Sequence, residues 1–268
     1  MTNNHESTQT RLVLENISKE YLVKKSQPVV AVSDISFDVY NNEVCALLGP
    51  SGCGKSTLLQ IMAGLIHQTS GRLMLDGKEI QGPGQDRGMV FQSYTSFPWL
   101  SVFENVEYGM KLNKVPVKQR KQRADYFIDR VHMNRFRDAY PVQLSGGMKQ
   151  RVAIARMLAN APEISLMDEP FGALDAETRW HMQELLLDII DETKMTVVIV
   201  THDIQEALFL ADRIVFLSAH PGQLEDILLM DFKNGRRITS KEELIELPGY
   251  IELERKIIRM MREQSSID

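Results

Sequence analysis

Cysteine is scarce in this chain. Only Cys45 and Cys53 occur in 268 residues, too few for a disulfide framework. Long apolar runs are missing as well: no stretch approaches the roughly 18–20 residues needed to span a bilayer. Met1–Thr10 is polar and holds no apolar signal-peptide core, so the mature protein is expected in the cytoplasm. Basic charge is not in excess. A formal net charge of −5 argues against nonspecific nucleic-acid binding, and no nucleic-acid partner is expected. Internal repeats and low-complexity segments are absent too. What the chain has is 43% hydrophobic content over its length, enough for a sizeable core in one large domain or one domain with a lobe inserted.

The most informative segment is Gly49-Pro50-Ser51-Gly52-Cys53-Gly54-Lys55-Ser56-Thr57, which satisfies G-x-x-x-x-G-K-[ST]. It falls between an expected strand, Val44–Leu48, and an expected helix, Ser56–Ala63. A triphosphate is dense in negative charge and needs several backbone N–H groups aimed at one place. Glycines let the loop curl tightly enough to supply them, and the helix N-terminus adds its positive dipole end. Lys55 is then placed to reach the β- and γ-phosphates, and the Ser56 hydroxyl to ligate Mg²⁺. Cys53 sits among these N–H groups beside Lys55, a setting that favours the thiolate, so Cys53 is expected to be reactive and Cys45 far slower.

Patterning predicts strands over Arg11–Ile17 and Ile35–Tyr40, with a turn at Lys24–Pro28, a hairpin at Gly71–Leu75 with Asp76-Gly77 as its turn, and a strand over Gly88–Phe91. From about Ser93 to Ala159 the texture is helical, with helices over Val117–Val131 and Gly146–Asn160. Strand and helix then alternate: Ile164–Met167, Ala176–Glu192, Thr196–Val200, Ile204–Ala211 and Ile214–Leu217. The tail, Thr239–Gln264, carries apolar groups at helical spacing and is expected to pack on the core or on a partner subunit.

Ile164-Ser165-Leu166-Met167-Asp168-Glu169 is a mostly apolar strand ending in two acids, the second edge that a nucleotide site needs. Asp168 is placed to hold the Mg²⁺ shell, and Glu169 to polarise a water for attack on the γ-phosphate. Ser165, unusual in a buried strand, is expected to bond neighbouring backbone. Leu144-Ser145-Gly146-Gly147-Met148-Lys149-Gln150-Arg151 combines a hydroxyl, bare N–H groups and a helix N-terminus, a second anion site.

This segment resembles the signature motif of ATP-binding-cassette (ABC) ATPases, and no other family combines it with the loop at Gly49. The resemblance implies an α/β fold, a P-loop NTPase core with an antiparallel β subdomain and an inserted helical subdomain. It places an ATPase domain over residues 11–235, the helical subdomain over about 93–160, a helical tail over 236–268 and a flexible lead-in over 1–10. Gln92 resembles the glutamine loop that joins the metal shell to the helical lobe. Asp175, in Ala173-Leu174-Asp175, resembles the loop that reaches a partner subunit. His202 resembles the switch histidine at the γ-phosphate, and Tyr21 the aromatic that stacks on adenine. Serine 145 with Gly146 and Gly147 would then cover the ATP held by the other subunit.

Phe97–Val106 and Asp168–Asp175 look like the nitrate/sulfonate/taurine branch of bacterial importer ATPases, as does Ser218–Gly222, with His220 where arginine is more usual. On this resemblance the chain hydrolyses ATP with Mg²⁺ at the cytoplasmic face of the membrane, as a peripheral subunit. Its partners would be integral membrane permease subunits, indirectly an extracytoplasmic solute-binding protein, and a second ABC ATPase subunit, expected as a homodimer. Phe97 and Trp99 are expected to floor a groove for a permease helix, or else to be core of the lobe. The alternative is a soluble ABC-type ATPase acting outside transport, in DNA repair or on ribosomes. Such chains carry two cassettes, a zinc module or a long coiled-coil insert, and none is evident.

Overall fold

The computed structural model describes residues 9–22, 27–93 and 95–265. Lys24-Lys25-Ser26 of the expected turn and residues 1–8 of the expected lead-in lie outside the described residues. β1 (Thr10–Tyr21) and β2 (Val29–Tyr40) pair antiparallel and run longer than the sequence pattern indicates. Thr10 belongs to β1 opposite Tyr40, and not to the lead-in. β3 (Val44–Leu48) leads through the glycine loop into α1 (Lys55–Met62). β4 (Ser70–Leu75) and β5 (Lys78–Glu79) form the expected hairpin. Its turn residues Asp76 and Gly77 have φ of 47° and 73°, the left-handed pair that a two-residue hairpin of matching twist requires.

After β6 (Arg87–Val90) come α2 (Val102–Leu112), α3 (Val117–Arg130) and α4 (Gly146–Ala159), three helices that pack on one another. The α2 helix was not anticipated. Its signal was present in Ser101-Val102-Phe103-Glu104, a capping box in which the Ser101 hydroxyl accepts from Glu104 N–H and the Glu104 carboxylate from Ser101 N–H. The chain then alternates through β7 (Ile164–Asp168), α5 (Ala176–Thr193), β8 (Thr196–Val200), α6 (Ile204–Leu210) and β9 (Arg213–Leu217). β10 (Leu224–Leu229), not anticipated, closes the edge antiparallel to β9.

The strands form a four-stranded antiparallel sheet, β2-β1-β4-β5, and a six-stranded sheet, β10-β9-β3-β8-β7-β6, parallel except at β10. Strands β3, β7, β8 and β9 are buried along their whole length, as expected for parallel strands covered on both faces. The pleat divides the core. Val44, Ala46 and Leu48 of β3 join the helical side with Val197, Ile199 and Phe216, whereas Cys45 and Leu47 join α1 and the antiparallel sheet. Ser165, buried in β7, has the thioether sulfurs of Met157 at 3.0 Å and Met195 at 2.9 Å as alternative acceptors for its one hydroxyl proton. The expected backbone partner is thus replaced, because β7 carbonyls and N–H groups are taken up by β6 and β8.

The tail is two helices, α7 (Lys241–Glu246) and α8 (Tyr250–Ser265), instead of one. Leu247-Pro248-Gly249 separates them: proline cannot continue α7, and Gly249 takes φ 95°. Leu244, Tyr250 and Ile257 are buried in the same cluster as Phe209 of α6, so the tail packs on the core. Arg237 anchors its start by ion pairs to Asp191 at 2.6 Å and Asp212 at 3.1 Å.

Candidate functional site

The loop between β3 and α1 is shaped by what presses on it. Gly54 has φ 92°, and a Cβ there would lie 2.5 Å from Val32 Cγ1, so a side chain is excluded both by conformation and by space. Gly222, in the Ser218–Gly222 segment after β9, abuts the Cys53 carbonyl so closely that any Cβ would overlap it. That segment also hydrogen-bonds β2 through Ser33 N–H to Gly222 O and Gly222 N–H to Ala31 O, clamping the loop from behind. Its bracing role was not visible in the sequence.

Lys55 is buried, and its ammonium donates to the carbonyls of Gly49 and Pro50, each at 2.7 Å. The loop opens on a cavity of about 590 Å³ lined by Ser51, Gly52, Gly54, Lys55, Ser56, Thr57, Gln92, Glu169 and His202. Cys53 faces the other way. Its thiol is wholly buried among the apolar residues under the loop, 3.5 Å from the Lys55 ammonium. The expected reactivity is corrected accordingly, since the sulfur is wholly buried and Cys53 lines no part of the cavity. Cys45 is equally buried, and its thiol is pushed far up by desolvation.

The acidic edge of the cavity is formed where β7 ends. Ser56 Oγ donates to Asp168 Oδ1 at 3.1 Å, joining the loop helix to this edge. Burial pushes the Asp168 carboxyl up, opposed by the Ser56 bond and by the Lys55 charge. Glu169 takes φ 45°, a left-handed backbone that a residue with a side chain adopts at a cost of about 1–3 kcal/mol. That turn brings its carboxylate round to two partners: Gln92 Nε2 donates to Oε2 at 3.0 Å, and His202 Nδ1 lies 3.0 Å from Oε1. Gln92 follows β6 and His202 follows β8, the strands flanking β7, so three adjacent C-terminal strand ends converge. Ligand crevices of open α/β sheets lie at such ends.

Tyr21, at the end of β1, stands at the rim with its hydroxyl 3.4 Å from Thr57 Oγ1 and Lys19 Nζ 5.2 Å from its ring centre. Ser145, Gly146 and Gly147 line no part of this cavity. Ser145 caps α4, accepting from Met148 N–H at 3.3 Å. A Cβ on Gly147 would come within 3.0 Å of Leu174 Cδ2, so the start of α4 packs against the Ala173-Leu174-Asp175 loop. Asp175 is exposed and caps α5 by accepting from Thr178 N–H at 3.0 Å, a bond that holds its carboxyl below the ordinary range. One chain therefore presents two separate glycine-bearing helix N-termini, at α1 and at α4.

Phe97 and Trp99 precede α2. Phe97 makes tilted ring contacts with Tyr108 at 4.7 Å and Trp99 at 5.8 Å, beside a groove of about 460 Å³ lined also by Thr95, Leu112 and Arg156. Trp99 is 69% exposed and so is not core of the lobe. The residue that shapes this loop, Asn105, was missed. It is fully buried, accepts from Phe97 N–H and donates to the carbonyls of Phe97, Leu100 and Ser101.

The ABC transporter family profile matches residues 32–172. An uncharacterised ABC transporter ATP-binding protein of Methanocaldococcus jannaschii is 48% identical over 254 residues, 95% of this chain and 92% of that protein. The nitrate import ATP-binding protein of Synechocystis sp. is 47% identical over 80% of each chain. The taurine import ATP-binding protein of Jannaschia sp. is 39% identical over 94% of each. A solved dimeric ATP-binding cassette in a post-hydrolysis state, bound to ADP and Pi, matches with a TM-score of 0.75 and 34% identity over 82% of this chain and 98% of its own. Among the described residues, no helix is long and apolar enough to cross a membrane.

Proposed function

The chain belongs to the ABC transporter family, and on that premise we propose that it is the ATP-hydrolysing subunit of an importer for a small anion or organic solute such as nitrate, a sulfonate or taurine. It would sit at the cytoplasmic face of the membrane against permease subunits served by an extracytoplasmic binding protein. Residues 11–235 would form the ATPase domain, about 93–160 its helical insert and 236–268 a tail. The observation that carries the reading is the placing of Glu169 between Gln92 and His202, lining one cavity with Lys55 and with Ser56, which bonds Asp168.

Mg²⁺ fits this donor set. Among the described residues no three His, Cys, Asp or Glu side chains gather to form a protein-only metal site. Mg²⁺ keeps several waters and takes substrate phosphates, so one carboxylate with a hydroxyl suffices. Ser56 and Asp168 would hold it, with Gln92 beside them, and the bound ion would neutralise charge on the β- and γ-oxygens. The backbone of Gly49–Thr57 and the Lys55 ammonium bind the phosphates. Tyr21 offers a ring face to the base. Glu169 accepts a proton from the attacking water, and His202, fixed against Glu169, keeps water and γ-phosphate in line.

Ser145 lies outside the cavity, which supports a head-to-tail pair in which the Ser145–Gly147 segment of one protomer covers the ATP held by its partner, with Asp175 on the shared face. Glu169→Gln keeps both hydrogen-bond partners but removes the base, so ATP binds, closes the pair and stays uncleaved. A stable ATP-dependent dimer is expected on size exclusion. Adding Ser145→Arg puts bulk where the partner's γ-phosphate lies; monomeric ATP binding survives and the dimer disappears. A double variant that loses ATP binding, or dimerises as well as Glu169→Gln alone, refutes the arrangement.

A further inference from the structure

The segment carrying His202 runs into α6, and α6 buries a carboxylate that the reading above does not use. Glu206 is 5% exposed, in the helix turn just after the switch segment. Gln183 Nε2 of α5 donates to its Oε2 at 2.8 Å, and the nearby Thr201 hydroxyl works against the upward push of burial on the same carboxyl. Thr201 is oriented for this because its oxygen already accepts from Asp203 N–H at 3.0 Å. A buried carboxylate is costly unless its lone pairs are used, so Glu206 draws Gln183 and the Thr201 hydroxyl toward one point.

On α5 the link continues toward the partner-facing loop. Arg179, one turn before Gln183, attracts the Glu206 charge and donates through Nη2 to the Leu174 carbonyl at 2.9 Å. Leu174 is the residue on which the Gly147 backbone rests. At the other end, Thr201 adjoins His202, which meets Glu169. Glu206 therefore lies between the segment that carries His202 and the helix that follows the Ala173–Asp175 loop.

We propose that Glu206 is a positioning residue for ATP hydrolysis, tying the Thr201–His202 segment to Gln183 and Arg179 of α5, so that the water-orienting side of the site and the loop facing the partner protomer are set together. The inference rests on reading the cavity as an ATP-hydrolysing site. Glu206 touches neither the cavity lining nor Glu169, so its effect is exerted through its neighbours.

The test is steady-state ATPase kinetics of the full chain with Gln183→Leu, Glu206→Leu and Glu206→Gln, alongside equilibrium binding of MgATP and thermal melting. Gln183→Leu and Glu206→Leu are expected to lower kcat tenfold or more while KM and the MgATP Kd stay within twofold. Glu206→Gln is expected to recover most of the rate lost in Glu206→Leu. Its new amide finds an acceptor in Gln183 Oε1, which has no partner among the described residues. Should Glu206→Leu fail to fold, Gln183→Leu and Glu206→Gln carry the comparison. A folded Gln183→Leu with parental kcat overturns the proposal, as does a Glu206→Gln as slow as Glu206→Leu, or a loss confined to KM. A parent chain that binds and hydrolyses ATP while Gln183→Leu is unchanged brings down the linkage alone. A parent chain that does neither brings down the functional reading with it.

Discussion

Asn105→Leu tests how the aromatic loop before α2 is presented. The replacement is apolar, somewhat larger and a better helix former, and it removes an amide that is completely buried. Its oxygen accepts from Phe97 N–H at 2.8 Å, and its two N–H bonds serve the carbonyls of Phe97, Leu100 and Ser101 at 3.2, 3.0 and 2.9 Å. That amounts to about three hydrogen bonds at a net ~1 kcal/mol each. Leaving Phe97 N–H without its acceptor adds to the loss, and the extra apolar burial of leucine offsets part of it, so destabilisation of about 2–4 kcal/mol is expected. Native stabilities of roughly 5–15 kcal/mol leave the variant folded. Urea denaturation of parent and variant reads the difference. Trp99 and Trp180 are the two tryptophans, so in a Trp180→Phe background the emission of Trp99 reports on the loop itself. Emission should shift and its anisotropy fall in Asn105→Leu, while KM for ATP holds, because Asn105 lines no part of the nucleotide cavity. Unchanged stability together with unchanged Trp99 emission would refute the reasoning that this amide organises the loop.

Trp99→Ala should leave ATP hydrolysis by the isolated chain nearly unchanged, since the ring is exposed, and should weaken association with the co-expressed permease by about 2 kcal/mol or more, read by pull-down titration. Both thiols should resist a thiol reagent in the native chain, and both should titrate in denaturant. A rapidly reacting native Cys53 would contradict its burial under the loop. Burial raises the Glu206 carboxyl to about 7 from an ordinary 4.5. Between those values the folded chain holds a proton that the unfolded chain has released. Stability from this group is thus full below the lower value and falls as pH rises, by about 3 kcal/mol in all. Glu206→Gln lacks that fall, so its stability relative to the parent should climb between pH 5 and 7 in urea melts and level off above. The facing charges, Asp203 at its own helix start, Arg179 on α5 and Lys241 on α7, are present in both proteins, and what Glu206→Gln removes is their interaction with the Glu206 charge.

Local chemistry made much of this molecule legible. Gly49–Thr57 can be read because a phosphate loop needs its glycines, lysine and hydroxyl at fixed offsets, and those offsets survive any tertiary arrangement. The strands β3, β7, β8 and β9 can be read because burial on both faces demands unbroken apolar runs. Asp76-Gly77 can be read because only certain residues tolerate its dihedrals. Even the missed α2 and the break between α7 and α8 had local marks, in the Ser101–Glu104 box and in Pro248-Gly249.

Other features have no local mark. Which way Cys53 points depends on Val32 and Gly222, from distant parts of the chain. Ser165 turns its hydroxyl to thioether sulfur because neighbouring strands take up the backbone groups of β7. Asn105, Glu206 and Lys233, whose ammonium bonds the Phe209 and Ala211 carbonyls at the end of α6, read in sequence as ordinary polar residues. Their importance comes from burial, which turns a polar group that water would otherwise satisfy into one that must be matched by particular partners. Burial and partners are set only when segments far apart in the chain are packed together, and so tertiary structure alone decided them.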